Sequence, residues 1–149
     1  MIFLRPVHCD DKALFQDTSY AAMPPEAMEK MLSESLAKSH NGKYFELFAV
    51  MDGDTCVGVV SLYETDPGEI SCGPEIKPQY RQQGYGYLAV QTALEQAKLL
   101  SYTKAVAQIR QDNAASIALH QKLGFTLCRS YTNQKGHPVL EFEDRKSVV

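Results

Sequence analysis

Ile76-Lys77-Pro78-Gln79-Tyr80-Arg81-Gln82-Gln83-Gly84-Tyr85-Gly86-Tyr87-Leu88 is an extended, proline-punctuated segment that turns through two glycines into an amphipathic helix. Ile76 closes an apolar run and Pro78 ends it. Gly84 and Gly86 permit backbone angles, and a close approach by a ligand, that a side chain would obstruct. From Leu88 onward the stripe Val90, Leu94, Ala97 and Ser101, flanked by Ala93 and Leu100, has helical period. The unpaired amides of that helix's first turn point at whatever sits over the glycines. With the helix dipole behind them they form an anion site that needs no lysine.

Two other phosphate-binding patterns fit less well. A Walker A loop requires Gly-x-x-x-x-Gly-Lys-Ser/Thr, and neither that spacing nor the Lys-Ser/Thr pair is present. Gly84-Tyr85-Gly86-Tyr87-Leu88-Ala89 does match the dinucleotide pattern Gly-x-Gly-x-x-Ala. That pattern follows a strand directly, however, and here the polar residues 78–83 intervene. Only 60 residues remain after Ala89, too few for two nucleotide-binding halves and an NAD-dependent oxidoreductase.

The segment Ile76-x-Pro78-x-x-Arg81-x-x-Gly84-x-Gly86 is followed, about 25 residues on, by Asn113-Ala114-Ala115-Ser116-Ile117-Ala118-Leu119-His120-Gln121-Lys122-Leu123-Gly124-Phe125. In order, separation and letters the two resemble the signature motifs of the GNAT superfamily of acyl-CoA-dependent N-acyltransferases. The resemblance implies acetyl-CoA as cosubstrate. It implies that the backbone of Gln82, Gln83, Gly84, Tyr85, Gly86 and Tyr87, opened by Arg81, holds the pyrophosphate. It also implies that the strand ending at Ile76 pairs with the pantetheine amides as an added strand would, with Asn113 and Ser116 along the same arm. Where the family most often has tyrosine near the coenzyme sulfur, this chain has His120.

Composition agrees with one globular domain over residues 1–149: 44% of residues are hydrophobic and 22% charged, so a largely disordered chain is excluded. A net charge of −3 provides no basic field for nucleic acid, and no apolar run has the length of a membrane span. Cys9, Cys56, Cys72 and Cys128 are scattered without metal-ligand or disulfide spacing. They read as reduced thiols of a cytoplasmic protein with no metal, three of them filling core positions. His8, His40 and His137 have no partners at meaningful spacing and read as surface residues.

In chain order, residues 2–5 predict a strand. Asp10 or Asp11 caps a helix reaching about Ser19, and Pro25 opens a second helix ending near Gly42. Residues 44–51 and 56–63 form a hairpin about Asp52-Gly53-Asp54. Residues 69–76 form the next strand, with a bulge or kink expected at Gly73-Pro74. After the glycine helix, residues 104–109 form a parallel neighbour of that strand. A helix capped by Asp112 or Asn113 follows, then two strands over 126–131 and 139–143. The fold class is α/β (α+β): a mixed, mostly antiparallel sheet of six to seven strands with about four helices. The GNAT resemblance adds that the two parallel strands splay into a V.

Acetyl transfer to an amine needs a group to take the amine's proton, an oxyanion donor, and a proton for the departing thiolate. Glu69 and Glu75 are the carboxylates of the central strand and so the candidate bases. Strict alternation puts them on one face, whereas a bulge between them puts them on opposite faces. The oxyanion donor is expected at the N–H of Gly73 or Glu75, because Pro74 has none. His120 is the candidate acid. By the resemblance, residues 20–25, the strand 69–75 and the hairpin 131–137 surround a primary-amine acceptor, small molecule or peptide, and a homodimer is a compatible assembly. A coenzyme A-binding regulatory module without catalysis is the alternative, motivated by the missing tyrosine.

Overall fold

The apolar runs expected as strands pair into one seven-stranded sheet in the order β1-β2-β3-β4-β5-β7-β6. The strands are β1 (Ile2–Pro6), β2 (Phe45–Asp52), β3 (Thr55–Asp66), β4 (Glu69–Ile76), β5 (Lys104–Arg110), β6 (Thr126–Thr132) and β7 (Pro138–Asp144). The helices are α1 (Pro25–Ala37), α2 (Tyr85–Leu99) and α3 (Ala114–Lys122). This computed structural model describes residues 1–144, so the end of the expected domain, 145–149, lies outside the described residues. Among named strands only β4 and β5 run parallel, joined through α2.

Alternation along the strands divides the core. Phe48, Val50, Val60, Leu62, Ile70 and Cys72 pack against Ala89, Val90, Ala93, Leu94 and Ala97 of α2. On the other face Leu47 and Val59 meet Val7, Phe15, Met28 and Leu32 beneath α1. Each fully buried Leu, Val or Phe contributes roughly 1.5–3 kcal/mol, so both helices are held by burial more than by helix propensity.

Four expectations are corrected. The first predicted helix is instead two 3-10 turns, Lys12–Phe15 and Ser19–Ala22, leaving three α-helices among the described residues. The Asp11 carboxylate is taken by Arg5 at 3.0 Å and by the His8 N–H at 2.8 Å, and Asp17, at φ 64°, breaks the helical path. Second, only Cys72 is buried; Cys56 is half-buried, while Cys9 and Cys128 are exposed, the latter on the solvent-facing edge strand β6. Third, His40 has partners: its Nδ1 lies 2.7 Å from Glu34 Oε2, and its ring meets Phe45 and Tyr63.

The fourth correction concerns β4. No bulge occurs at Gly73-Pro74: Ile70 through Ile76 pair in unbroken register with Glu64 through Gly58, and the irregularity falls on β3 between Glu64 and Asp66. Pairing of β4 with β5, by contrast, covers only Glu69↔Lys104, Ile70↔Ala105 and Ser71↔Val106. The Lys77 N–H donates to Val57 O at 2.9 Å, and antiparallel alternation then turns the amides of Gly73 and Glu75 toward β3 as well. Positions 72, 74 and 76 face β5. Pro74 has no N–H to offer there, and the strands part.

Candidate active site

The loop after β4 reaches α2 through two left-handed residues, Gln82 at φ 62° and Gly84 at φ 85°. Gly84 is the N-cap, and no side chain caps the helix. The Leu88 N–H bonds to Gly84 O at 3.2 Å. Among the described residues, the amides of positions 82–87 bond to nothing outside that turn. At Gly86 a Cβ would lie 2.8 Å from Leu119 Cδ1 of α3, so a side chain there would have to push the flexible end of Leu119 aside. The two helices therefore approach closely beneath a cluster of free N–H groups, the arrangement that binds anions.

A cavity of about 660 Å³ opens over this cluster. Glu75, Ile76, Arg81, Gln82, Gly84, Tyr85, Gly86, Tyr87, Asn113 and Ser116 of the expected set line it, and Glu69, Gln83 and His120 do not. Arg81 Nε donates to Ile76 O at 2.9 Å, folding the guanidinium over the strand end. The Tyr85 hydroxyl is anchored on Asp52 Oδ2 at 2.6 Å. Asn113 Oδ1 accepts the Ser116 N–H at 3.1 Å, capping α3. Sequence reasoning missed Ala115, Ala118, Leu119 and Lys122, which line the same cavity. Their i, i+3, i+4, i+7 spacing puts them on one face of α3, a signal available in the sequence. Lys122 Nζ stands 4.9 Å over the Tyr87 ring and brings a cation to the mouth of the cavity.

Unbroken alternation puts Glu69 and Glu75 on one face of the sheet, but at opposite ends of β4. Glu69 lies at the paired end, where Lys104 Nζ bridges it at 3.1 Å and Glu143 at 2.9 Å, and Thr65 Oγ1 donates to it at 2.5 Å. Burial pushes its carboxyl up, yet the hydrogen bonds from Thr65 and Lys104 and the Lys104 charge outweigh it and leave the group below its ordinary value. Glu75 lies at the open end and accepts the Ser19 N–H at 2.6 Å and the Ser19 hydroxyl at 2.5 Å. It thereby ties the 3-10 turn Ser19–Ala22 to β4. The Glu75 charge and burial together raise the Tyr20 phenol, burial being the larger cause. Because the Gly73 and Glu75 amides point at β3, neither is turned to the gap as an oxyanion donor; beyond Pro74 it is the Ile76 amide that faces it.

Between the parted strands lies a second cavity of about 320 Å³, bordered by Cys72, Gly73 and Pro74 of β4, Gln108 and Arg110 of β5, and His120. Pro74, Asn113 and Ser116 line both cavities, so the two adjoin. His120 is 2% exposed. Its Nδ1 is 2.8 Å from Ser116 O, and since a carbonyl only accepts, Nδ1 carries the hydrogen. Its ring stands edge-on to Phe125 at 5.0 Å. Nε2 is buried and has no partner. Burial pushes the imidazole below its ordinary value, against a smaller opposing effect of the Ser116 carbonyl. The expected hairpin 131–137 lines neither cavity.

Comparison with known proteins gives the family and the fold. A family model described as an acetyltransferase (GNAT) domain matches residues 2–126. A curated relative from Bacillus subtilis (strain 168), described as the uncharacterized N-acetyltransferase YfmK, is 31% identical over 97 residues, 65% of this chain and 65% of its own length. The match thus spans about two thirds of that relative. Among solved structures, a chimera of the Vibrio cholerae spermidine N-acetyltransferase SpeG with hSSAT superposes with a TM-score of 0.83 at 16% identity, over 98% of this chain and 96% of that one. The ribosomal L7/L12 alpha-N-protein acetyltransferase RimL, in complex with coenzyme A, superposes with a TM-score of 0.78 at 18% identity, over 99% and 96%. At those identities the likeness is one of fold. No helix among the described residues is long and apolar enough to cross a membrane.

Proposed function

The chain belongs to the GNAT acetyltransferase family, and from that premise we propose that it is a single-domain, acetyl-CoA-dependent N-acetyltransferase. The acetyl group passes by direct attack to a primary amine of a small molecule or peptide. One observation carries the reading: the free amides at 82–87 floor a cavity that adjoins the open gap between β4 and β5. The amides of Gln82 through Tyr87 hold the pyrophosphate, with Arg81 and Lys122 as nearby cations. Ile76, whose amide faces the gap, pairs with the pantetheine arm, beside Asn113 and Ser116 on the opposite wall. His120 supplies the proton that the thiolate needs in order to leave.

The alternative, a coenzyme A-binding module without catalysis, differs in one measurable respect. Calorimetry with acetyl-CoA tests the cavity, and a broad amine screen read by release of free thiol tests the chemistry. Binding with turnover supports the proposal. Binding without turnover across the screen favours the module, and absence of binding removes both.

A further inference from the structure

We propose that a single imidazole, His120, carries one proton through the whole transfer: Nε2 takes it from the attacking nitrogen and then delivers it to the departing thiolate. This rests on the acetyltransferase reading above and adds to it the origin of the thiol's proton. His120 is fully buried, and its Nδ1–H is spent on the Ser116 carbonyl at 2.8 Å. Its other nitrogen is closed to bulk water and has no partner, although the ring borders the gap between β4 and β5. A buried polar atom left unsatisfied at such a place marks where a donor arrives. The resting ring, which borders the gap, therefore has its acceptor at Nε2, and it is an acid that has nothing to give until it has been given a proton.

Among the described residues no carboxylate borders the gap itself, and the one that lines the adjoining cavity, Glu75, is engaged elsewhere. Glu69 is held by Lys104 and Thr65 at the paired end of β4, and Glu75 is held by Ser19. The other polar groups bordering it are the Cys72 thiol, pushed up by burial to about 12 and so uncharged, and Ser71 from β4. From β5 come Gln108 and Arg110, the latter paired with Asp112 at 3.0 Å. From α3 come Asn113 and Ser116, and behind the ring stands Phe125.

The step balances without another reactant. A neutral amine attacks the thioester carbon; the N–C bond forms and the carbonyl electrons move to oxygen. Only then does the nitrogen's proton become acidic enough for imidazole, and Nε2 takes it, directly or through one water. The C–S bond breaks with its electron pair on sulfur, and Nε2–H returns the proton to the thiolate. Burial makes the imidazolium short-lived and a ready donor, while the Ser116 carbonyl holds Nδ1–H throughout. Because the reaction begins from neutral imidazole, activity is lost as pH falls through a value below the ordinary one for histidine. A histidine that had to start as the acid would lose activity as pH rises.

Long-range nitrogen–proton NMR of the enzyme at neutral pH reads the tautomer directly. A proton on Nδ1 and a bare Nε2 whose resonance moves when coenzyme A is added are expected; a proton on Nε2, or an unmoved Nε2 in the coenzyme A-bound enzyme, overturns the proposal. With an acceptor found in the screen, His120→Phe and His120→Gln should lower kcat roughly a hundredfold. Both should lose the limb that lies below the ordinary histidine value, distinct from the much higher one set by the acceptor's own ammonium, and bind acetyl-CoA as the wild type does. His120→Tyr should not restore that lower limb. A lower limb that persists in the Phe and Gln variants overturns the shuttle while leaving the acetyltransferase intact. Failure of the wild-type enzyme to bind acetyl-CoA overturns the acetyltransferase reading itself.

Discussion

The two halves of the β4–β5 pair are built from the same strands and do opposite things. At one end Glu69, Ile70 and Ser71 are in register with Lys104, Ala105 and Val106, Ile70 is wholly buried, and Lys104 joins Glu69 to Glu143. At the other, Pro74 presents no donor to β5, the strands part, and two adjoining cavities open. A parallel pair is thus closed by packing and ion pairing and opened by the loss of one N–H. Stability belongs to the first half, and the free amides, the unpartnered Nε2 and the clefts belong to the second.

The largest effect should come from the closed half. Ile70→Ala removes a side chain with no exposure and should cost about 2–5 kcal/mol of stability. Acetyl-CoA affinity, measured on the fraction still folded, should be unchanged. A variant of full stability with weakened binding would show that the halves are not separable in this way.

Gly86→Asp probes the open half. A side chain there meets the flexible end of Leu119, and its charge stands where the free amides would receive an anion. Acetyl-CoA binding should weaken at least tenfold, about 1.4 kcal/mol, with the melting curve little changed. Unaltered affinity by calorimetry in a folded variant would remove the pyrophosphate from this loop.

Lys104→Met returns to the closed half and should cost about 1 kcal/mol, as a partly exposed three-group ion pair does. The dependence on pH has a definite sign. Glu69 is held below its ordinary value, so its share is present above the unfolded carboxyl range and is lost as pH falls through the lowered folded value. Lys104 is raised, first by its hydrogen bond to Glu143. Its share is present below its unfolded value and is lost as pH rises through the raised one. Denaturation of both proteins across pH should show a difference that is full near neutrality and shrinks at both extremes.

The smallest effects should come from Glu69→Gln and Glu75→Gln. Neither should lose the acid limb of the pH profile. Glu69→Gln should turn over like the wild type, whereas Glu75→Gln, by loosening Ser19, should change the apparent KM for the amine a few-fold and leave kcat nearly intact. Loss of the acid limb in either variant would return the base to β4.

Much of this was legible in the chain because the signals are local. The two-glycine turn, the period of α2, the Asn113 cap and the strand alternation each depend on residues within a turn or two of one another. So the order of the strands, their parallel pair and nearly all of the residues of the glycine loop that line the larger cavity could be read from the chain. The first helix could not: Asp11 is a good cap on paper, but Arg5 and His8 claim it. Nor could the fate of the cysteines, since only the sheet order makes β6 an edge that leaves Cys128 in solvent.

The sequence by itself determined that a proline-broken strand feeds a glycine turn and a helix with open amides, since backbone angles and missing donors are properties of the residues. Tertiary structure alone decided which groups are free to react. Glu69 and Glu75 are alike in sequence, and they differ because Lys104 and Thr65 close over one and Ser19 over the other. The sequence names His120 but not its tautomer, which follows from the Ser116 carbonyl that takes Nδ1–H and the burial that leaves Nε2 bare. Protonation and partnership depend on neighbours distant in the chain, and a sequence read in one dimension does not contain those distances.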